Sequence, residues 1–324
     1  MEVVTESSQS PDIVAFLSRQ GLDPDPGAGF TVSLREDGRI LACGSLDGNV
    51  IKGVAVDPAF RGQGLTEKLM TVLRQEAFRR SLRELFVFTK PGNEMMFRGL
   101  GFYSVARTAD ALLLESRRGG IRAWLGAMEK HDGLCGAVVM NCAPFTKGHR
   151  YLIETAASRC HWLYVFVLSE DKGMFRASDR LEMVRRGCRG LPNVLVYPTE
   201  GYLISNATFP TYFLKDKSKS GTIHCALDVE IFAGKVAPGL GLSCRFVGTE
   251  PNDPVTAAYN RALREKLPPR GVEVHEIQRL EEDGQAVSAS RVRAALAAGD
   301  WEAVRPLVPD TTYAYLKIII GGET

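Results

Sequence analysis

Two short motifs carry the residue types that could do chemistry, PFTKGH at Pro144–His149 and SASRVR at Ser288–Arg293, about one domain length apart. The first lies where an apolar run, Gly136–Asn141, gives way to an amphipathic stretch, His149–Arg159. That is the pattern of a strand turning into a helix. A helix start exposes free N–H groups and the positive end of its dipole, which favours phosphate. In that setting His149 can donate to a phosphate oxygen, Thr146 adds a hydroxyl, and Gly148 keeps the backbone close. The second motif is expected to open another helix. Ser288 and Ser290 bring hydroxyls, and Arg293 brings planar paired donors for the outer phosphates. The chemistry such a set fits is attack at the α-phosphate of a nucleoside triphosphate, where alignment and electrostatic stabilisation do most of the catalysis. Singly, each has a plainer reading: a surface histidine, a helix cap followed by a solvated arginine, a lysine (Lys147) in water. The pairing and order point to nucleotide.

The elements that must position these residues alternate. Strands are expected at 137–140, 162–168, 194–197, 245–247 and 272–277, and helices at 150–158, 178–186, 254–264, 291–298 and 301–307. Short apolar strands alternating with helices predict a doubly wound parallel sheet covered on both faces. Ligands of such sheets bind at the carboxyl ends of strands where the winding reverses. Two further groups lie at such ends. Arg176, with Arg180, sits in FRASDR, and Gly248, Glu250 and Asn252 follow the strand at 245–247. There is no Walker A sequence, Ser-His-Asp set or metal-type histidine cluster, so no protein metal site is expected and Mg²⁺ would bridge phosphate oxygens.

Residues 1–118 read as a separate α+β domain, 119–132 as a linker helix, and 133–324 as the parallel-sheet domain. In the first, 30–34 and 40–43 form a hairpin about Glu36-Asp37-Gly38, and 51–56 is a further strand. Leu65, Leu69, Val72 and Leu73 then share one helix face. Arg61, Gly62 and Gly64 therefore fall at that helix's N-terminus, where a pyrophosphate can be held.

Composition sets bounds. With 45% hydrophobic and 24% charged residues, the chain is an ordinary soluble globular protein long enough for two domains. A net charge of +2 gives no case for nucleic acid or a membrane surface. No apolar run approaches the ~20 residues of a membrane span. The polar, acidic start, MEVVTESSQSPD, is unlike a secretory signal. Seven cysteines without a C-x-x-C pair argue against a disulfide framework or zinc, and for a reducing cytoplasm.

The stretch Val56–Arg80 resembles motif A of the GNAT acetyltransferases, and Asn93–Phe102 resembles their second motif. The resemblance implies that Arg61, Gly62 and Gly64 hold the pyrophosphate of a CoA-like group. It departs at Thr66, where the family has a small Gly or Ala, and at Phe97, where many members carry a tyrosine that protonates the leaving thiolate. Tyr103 is the nearest phenol in sequence. Thr-x-Gly-His with a later Ser-x-Ser-x-x-Arg resembles the HIGH-type nucleotidyltransferases. Fused in this order, and with the stretches Ser205–Asp216, Leu227–Phe232 and Arg245–Asn260, the whole chain resembles the [citrate (pro-3S)-lyase] ligase family. That resemblance implies ATP and Mg²⁺, adenylation of acetate with release of pyrophosphate, and acetylation of a CoA-like thiol on the acyl carrier subunit of citrate lyase. The alternatives are an adenylyltransferase for a phosphorylated cofactor precursor, of phosphopantetheine or nicotinamide nucleotide type, and a nucleotide-sensing regulator without turnover.

Overall fold

The computed structural model describes residues 1–171, 173–203, 209–214, 216–250, 254–282 and 284–321. The first elements are β1 (Glu2–Glu6), α1 (Pro11–Arg19), β2 (Phe30–Glu36), β3 (Arg39–Asp47), β4 (Val50–Val56), α2 (Leu65–Arg79), β5 (Phe86–Thr89), α3 (Glu94–Gly99), β6 (Tyr103–Arg107) and β7 (Leu112–Glu115). Their strands form a seven-stranded sheet in the order β1-β2-β3-β4-β5-β7-β6. All neighbours are antiparallel except β4 and β5, which are parallel and pair only at Val50–Phe86 and Ile51–Val87.

The β2–β3 hairpin turns at Asp37 and Gly38, both with positive φ (49° and 78°), the geometry that matches the twist of the flanking strands. The apolar face of α2 buries Leu65, Leu69, Met70, Leu73 and Ala77 on the sheet. It comes so close to β3 that a Cβ at Gly44 would meet Leu69 and Leu73 at 3.1 Å. The acidic N-terminus holds more structure than its polarity predicts. Val3 and its neighbours pair with β2, and Ser10-Pro11-Asp12 caps α1, with Ser10 Oγ accepting from the Ile13 N–H.

The chain continues through α4 (Gly120–Gly126), β8 (Cys135–Met140), α5 (Lys147–Ala157), β9 (Trp162–Val167), α6 (Ala177–Gly187), β10 (Val194–Pro198), α7 (Ser220–Ile231), α8 (Ala237–Leu240), β11 (Leu242–Gly248), α9 (Pro254–Lys266), β12 (Glu273–Ile277), the short pair β13 (Glu281–Glu282) and β14 (Gln285–Ala286), α10 (Ala289–Ala297), α11 (Trp301–Val304) and α12 (Asp310–Gly321). β8 to β12, without the short pair, make an all-parallel sheet in the order β10-β9-β8-β11-β12. Leu163 to Val167 of β9 are at most 1% exposed, as expected of a strand covered on both faces. The winding runs outward from β8 in one direction and resumes at β11 in the other, which makes the β8–β11 junction the switch point.

The linker helix is shorter than the 119–132 read from sequence. Its start is fixed by Glu115 at the end of β7, whose carboxylate accepts from the N–H groups of Gly120 and Ile121 at 2.9 Å each. By packing, the chain divides into two units. One comprises residues 1–123 with 209–230, the other 124–208 with 231–324. A stretch from the later half of the chain thus belongs to the first unit, an arrangement that single cut points in the sequence do not contain. Helices α7 and α12 have no counterpart in the sequence reading.

Candidate active site

β8 ends at Met140, and the chain enters α5 at the switch point with Thr146 as N-cap. The cap is reciprocal. Thr146 Oγ1 accepts from the His149 N–H at 3.3 Å, and the Thr146 N–H donates to His149 Nδ1 at 3.0 Å. A histidine thus plays the part usually taken by Glu or Gln in a capping box. Because a backbone N–H donates to Nδ1, that nitrogen carries no proton, and the proton of the neutral ring sits on Nε2. Burial, with the Arg279 charge as the smaller cause, pulls the His149 pKa down to about 4. At neutral pH this is a neutral N–H donor of fixed tautomer. The Thr146 hydroxyl is 2.9 Å from Nδ1 and itself buried, so the geometry makes it the group that orients His149.

The second motif is clasped to the first. Ser288 caps α10, accepting from the Arg291 N–H at 3.4 Å, and lies 3.3 Å, Oγ to Oγ, from Ser290. Arg293 Nη1 donates to the carbonyl of Ala143 at 2.6 Å. A Cβ at Gly148 would meet the Val287 carbonyl oxygen at 2.9 Å. The glycine of Thr-x-Gly-His is therefore required by the approach of the second motif, whatever it also grants a ligand. The N-termini of α5 and α10 open on one cavity of about 1140 Å³, lined among others by Asn141, His149, Gly248, Arg279, Ser290 and Arg293.

Thr146, Gly148, Glu250 and Ser288 also line that cavity. Glu250 does so as half of an ion pair with Arg279, which further donates from Nε to the Thr249 carbonyl at 2.8 Å and from its own N–H to Thr249 Oγ1 at 3.1 Å. Arg279 was not among the residues singled out from sequence. Its signal is positional, as the first basic residue beyond the carboxyl end of β12, where ligands of parallel sheets bind. Arg176 does not join the group. It stands exposed at the N-cap of α6 and does not line the cavity. Arg180 is buried, and its Nη1 donates to the carbonyl and side-chain oxygens of Asn141, at 2.8 and 2.7 Å. It shapes the loop after β8, with Nη2 donating to the Glu170 carbonyl at 2.5 Å, and does not line the cavity. Asn252 lies outside the described residues.

Arg61, Gly62 and Gly64 line a separate cavity of about 620 Å³ in the first unit, together with Val54–Val56, Thr89, Phe97 and Tyr212. Gly62 and Gly64 have φ of 79° and 71°, a conformation that side chains disfavour, and Gly64 is the N-cap of α2. Phe97 is 3% exposed and packs edge-on against Phe102, so no phenol stands at that point. Tyr103 is 40% exposed on β6 and does not line the cavity.

Two family profiles match, and the one over residues 135–316 also takes in residues 209–230, which pack with the first unit. The citrate lyase ligase C-terminal domain matches residues 135–316, and the acetyltransferase (GNAT) family matches residues 4–102. Fold and site thus define a GNAT-type domain joined to a nucleotidyltransferase-like parallel-sheet domain. Over 331 residues the chain is 39% identical to the [citrate [pro-3S]-lyase] ligase of Klebsiella pneumoniae, covering 100% of this chain and 97% of that protein. It is 38% identical to the enzyme of the same name from Escherichia coli (strain K12), covering 98% and 92%. A shorter similarity, 38% over 76 residues, covers 23% of this chain and 42% of a phosphopantetheine adenylyltransferase from Clostridium botulinum. The chain belongs to the [citrate [pro-3S]-lyase] ligase family.

Proposed function

We propose that this protein is an ATP-dependent ligase that activates citrate lyase, first adenylating acetate and then acetylating the thiol of a CoA-like prosthetic group on the lyase's acyl carrier subunit. The observation that carries the reading is the convergence of the Thr146–His149 turn and the α10 N-terminus on one cavity at the sheet's switch point. In the first step an acetate oxygen bonds to the α-phosphorus of ATP, the bond to the β-phosphate oxygen breaks, and pyrophosphate leaves. A carboxylate already carries the electron pair it needs, so no general base is required. His149 donates from Nε2 to an α-phosphate oxygen without bringing a proton that must be removed first, and Thr146 holds the ring in that tautomer. Ser288, Ser290 and Arg293, with the α10 dipole, take the charge of the departing pyrophosphate. Gly248 and Glu250 border the nucleotide, Glu250 through the ion pair that aims Arg279. Mg²⁺ would be brought by the triphosphate and would supply charge neutralisation there. In the second step the carrier's thiol attacks the acetyl carbonyl, forming the thioester and releasing AMP.

The first unit holds the CoA-like arm. Its support is the glycine-rich start of α2 on a cavity bounded by β4 and β5. A cytoplasmic setting agrees with seven free cysteines and with the finding that no helix among the described residues is long and apolar enough to cross a membrane. The test is isotope exchange. The protein is mixed with ATP, Mg²⁺ and labelled pyrophosphate, with and without acetate. Label entering ATP only with acetate is the expected result. No acetate dependence, with adenylylation of phosphopantetheine instead, would replace the reading with that of an adenylyltransferase.

A further inference from the structure

β4 and β5 form a fork. Their last registered pair is Ile51–Val87; beyond it β4 runs on to Val56 and β5 to Thr89. The fork opens toward the carboxyl ends of both strands, where Arg61, Gly62 and Gly64 stand at the start of α2. Phe88 is the first residue of β5 past the last pair. The Phe86 N–H bonds to the Asn49 carbonyl on the β4 side. Residues two apart along a strand turn their N–H and C=O groups to the same edge, so the Phe88 carbonyl faces the fork.

That carbonyl is taken by a residue 124 positions later in the chain. Tyr212 Oη donates to Phe88 O at 2.5 Å, and the Tyr212 carbonyl accepts from the Asp23 N–H at 3.3 Å. Tyr212 and Phe213 are 9% and 2% exposed and both line the cavity, while Phe209 packs edge-on against Phe88 at 6.0 Å. The Phe88 carbonyl on the unpaired edge of β5 is therefore capped by Tyr212, and two aromatic residues, Tyr212 and Phe213, line the cavity beside that edge.

We propose that Tyr212 and Phe213 are the specificity-determining end wall of this cavity, admitting a thiol or an acetyl thioester and excluding longer acyl groups. This rests on the reading of the first unit as the holder of a CoA-like arm. A ligand anchored by phosphate at α2 and extended along β4 has Val54–Val56 to follow, roughly 10 Å at the rise of a β-strand. Its thiol end then arrives beside Tyr212 and Phe213. Each further methylene must displace Phe213 or break the Tyr212–Phe88 bond. The Tyr212 hydroxyl is committed to the Phe88 carbonyl, so it serves as wall and not as a proton donor to the ligand.

The experiment is calorimetric titration of the full-length protein with CoA, acetyl-CoA and octanoyl-CoA. Wild type should bind the first two within about threefold of each other and octanoyl-CoA about tenfold or more weaker, the scale on which a filled pocket rejects extra methylenes. Tyr212→Ala and Phe213→Ala should each narrow the octanoyl-to-acetyl ratio about tenfold, and Tyr212→Phe, which keeps the ring and loses the hydrogen bond, should fall between. Because each readout is a ratio within one protein, partial loss of folded material cancels. Octanoyl-CoA binding wild type as tightly as acetyl-CoA overturns the proposal, as does an unchanged ratio in both alanine variants. If wild type binds no CoA at all, the reading of the first unit falls and the proposal with it.

Discussion

At the residue scale the deciding group is His149, whose Nδ1 is spent on its own N-cap. Replacing it by Ala should lower acetate-dependent pyrophosphate exchange about 10²–10³-fold, the usual worth of one donor aimed at developing charge. A loss below about tenfold would remove it from the chemistry. Its titration gives a second expectation. The unfolded histidine takes a proton near its ordinary 6.5, whereas the folded one resists until about 4. Between these values the unfolded chain binds the extra proton, so the contribution of neutral His149 is fully present above 6.5 and is lost as pH falls toward 4. Urea midpoints measured from pH 7.5 down to 4.5 should fall more steeply for wild type than for His149→Gln. Parallel curves would contradict the neutral ring. Arg293 is distinguished by shape as well as charge. Its guanidinium binds the Ala143 carbonyl from one edge, and a lysine cannot do that while also offering paired donors to phosphate. Arg293→Lys should therefore recover little of the activity lost in Arg293→Ala.

At the scale of elements, two helix starts are held face to face by a missing side chain. Gly148→Ala would push a methyl into the Val287 carbonyl at 2.9 Å. The backbones must part, at a cost of about 1–3 kcal/mol, and the KM for ATP should rise with it. Thermal melting and KM measured on the same preparation check both effects. If melting drops and KM does not move, the glycine serves packing alone. The elements themselves were unevenly legible. The central strands β8 and β9 stand out as short apolar runs, because a strand buried on both faces needs little else, whereas β12 carries Glu273, His275 and Glu276 among its five residues. The helix α2 is visible in its spacing, since one face meets a sheet and the other meets water. By contrast, β1 carries Glu2, Thr5 and Glu6 and hides its pairing in backbone hydrogen bonds, which leave no mark on side-chain type. The apolar α7 shows little periodicity to read.

At the scale of the whole molecule, the proposed division of labour predicts a split in kinetics. In that proposal adenylation falls to the cavity lined by His149, and thiol capture to the cavity lined by Arg61. Arg61→Ala should slow acetylation of a purified carrier thiol about tenfold more than it slows pyrophosphate exchange, as expected for loss of a charge-assisted phosphate contact. Equal effects on both would mean that the first unit contributes only to folding.

The pair Thr146–His149 and Ser288–Arg293 stands out in the sequence as a candidate, because phosphate gripping at helix starts demands particular residue types at particular spacings, and the two halves line one cavity. The same local logic points to Arg61, Gly62 and Gly64, which line the cavity of the first unit. It also brought in Arg176, whose charge and position before a helix look right, yet which stands exposed and off the cavity; type and spacing do not say which helices share a mouth. It passed over Arg279, which follows β12 yet lines the same cavity as His149, and Tyr212, which caps a strand edge 124 residues away. Sequence determined the kinds of chemistry present and the local elements that carry them, since these depend on neighbours along the chain. Only the tertiary structure decided which groups meet, which hydroxyls and carboxylates are already spent on a partner, and where a cavity ends, because each of those is a contact between residues that the chain itself holds far apart.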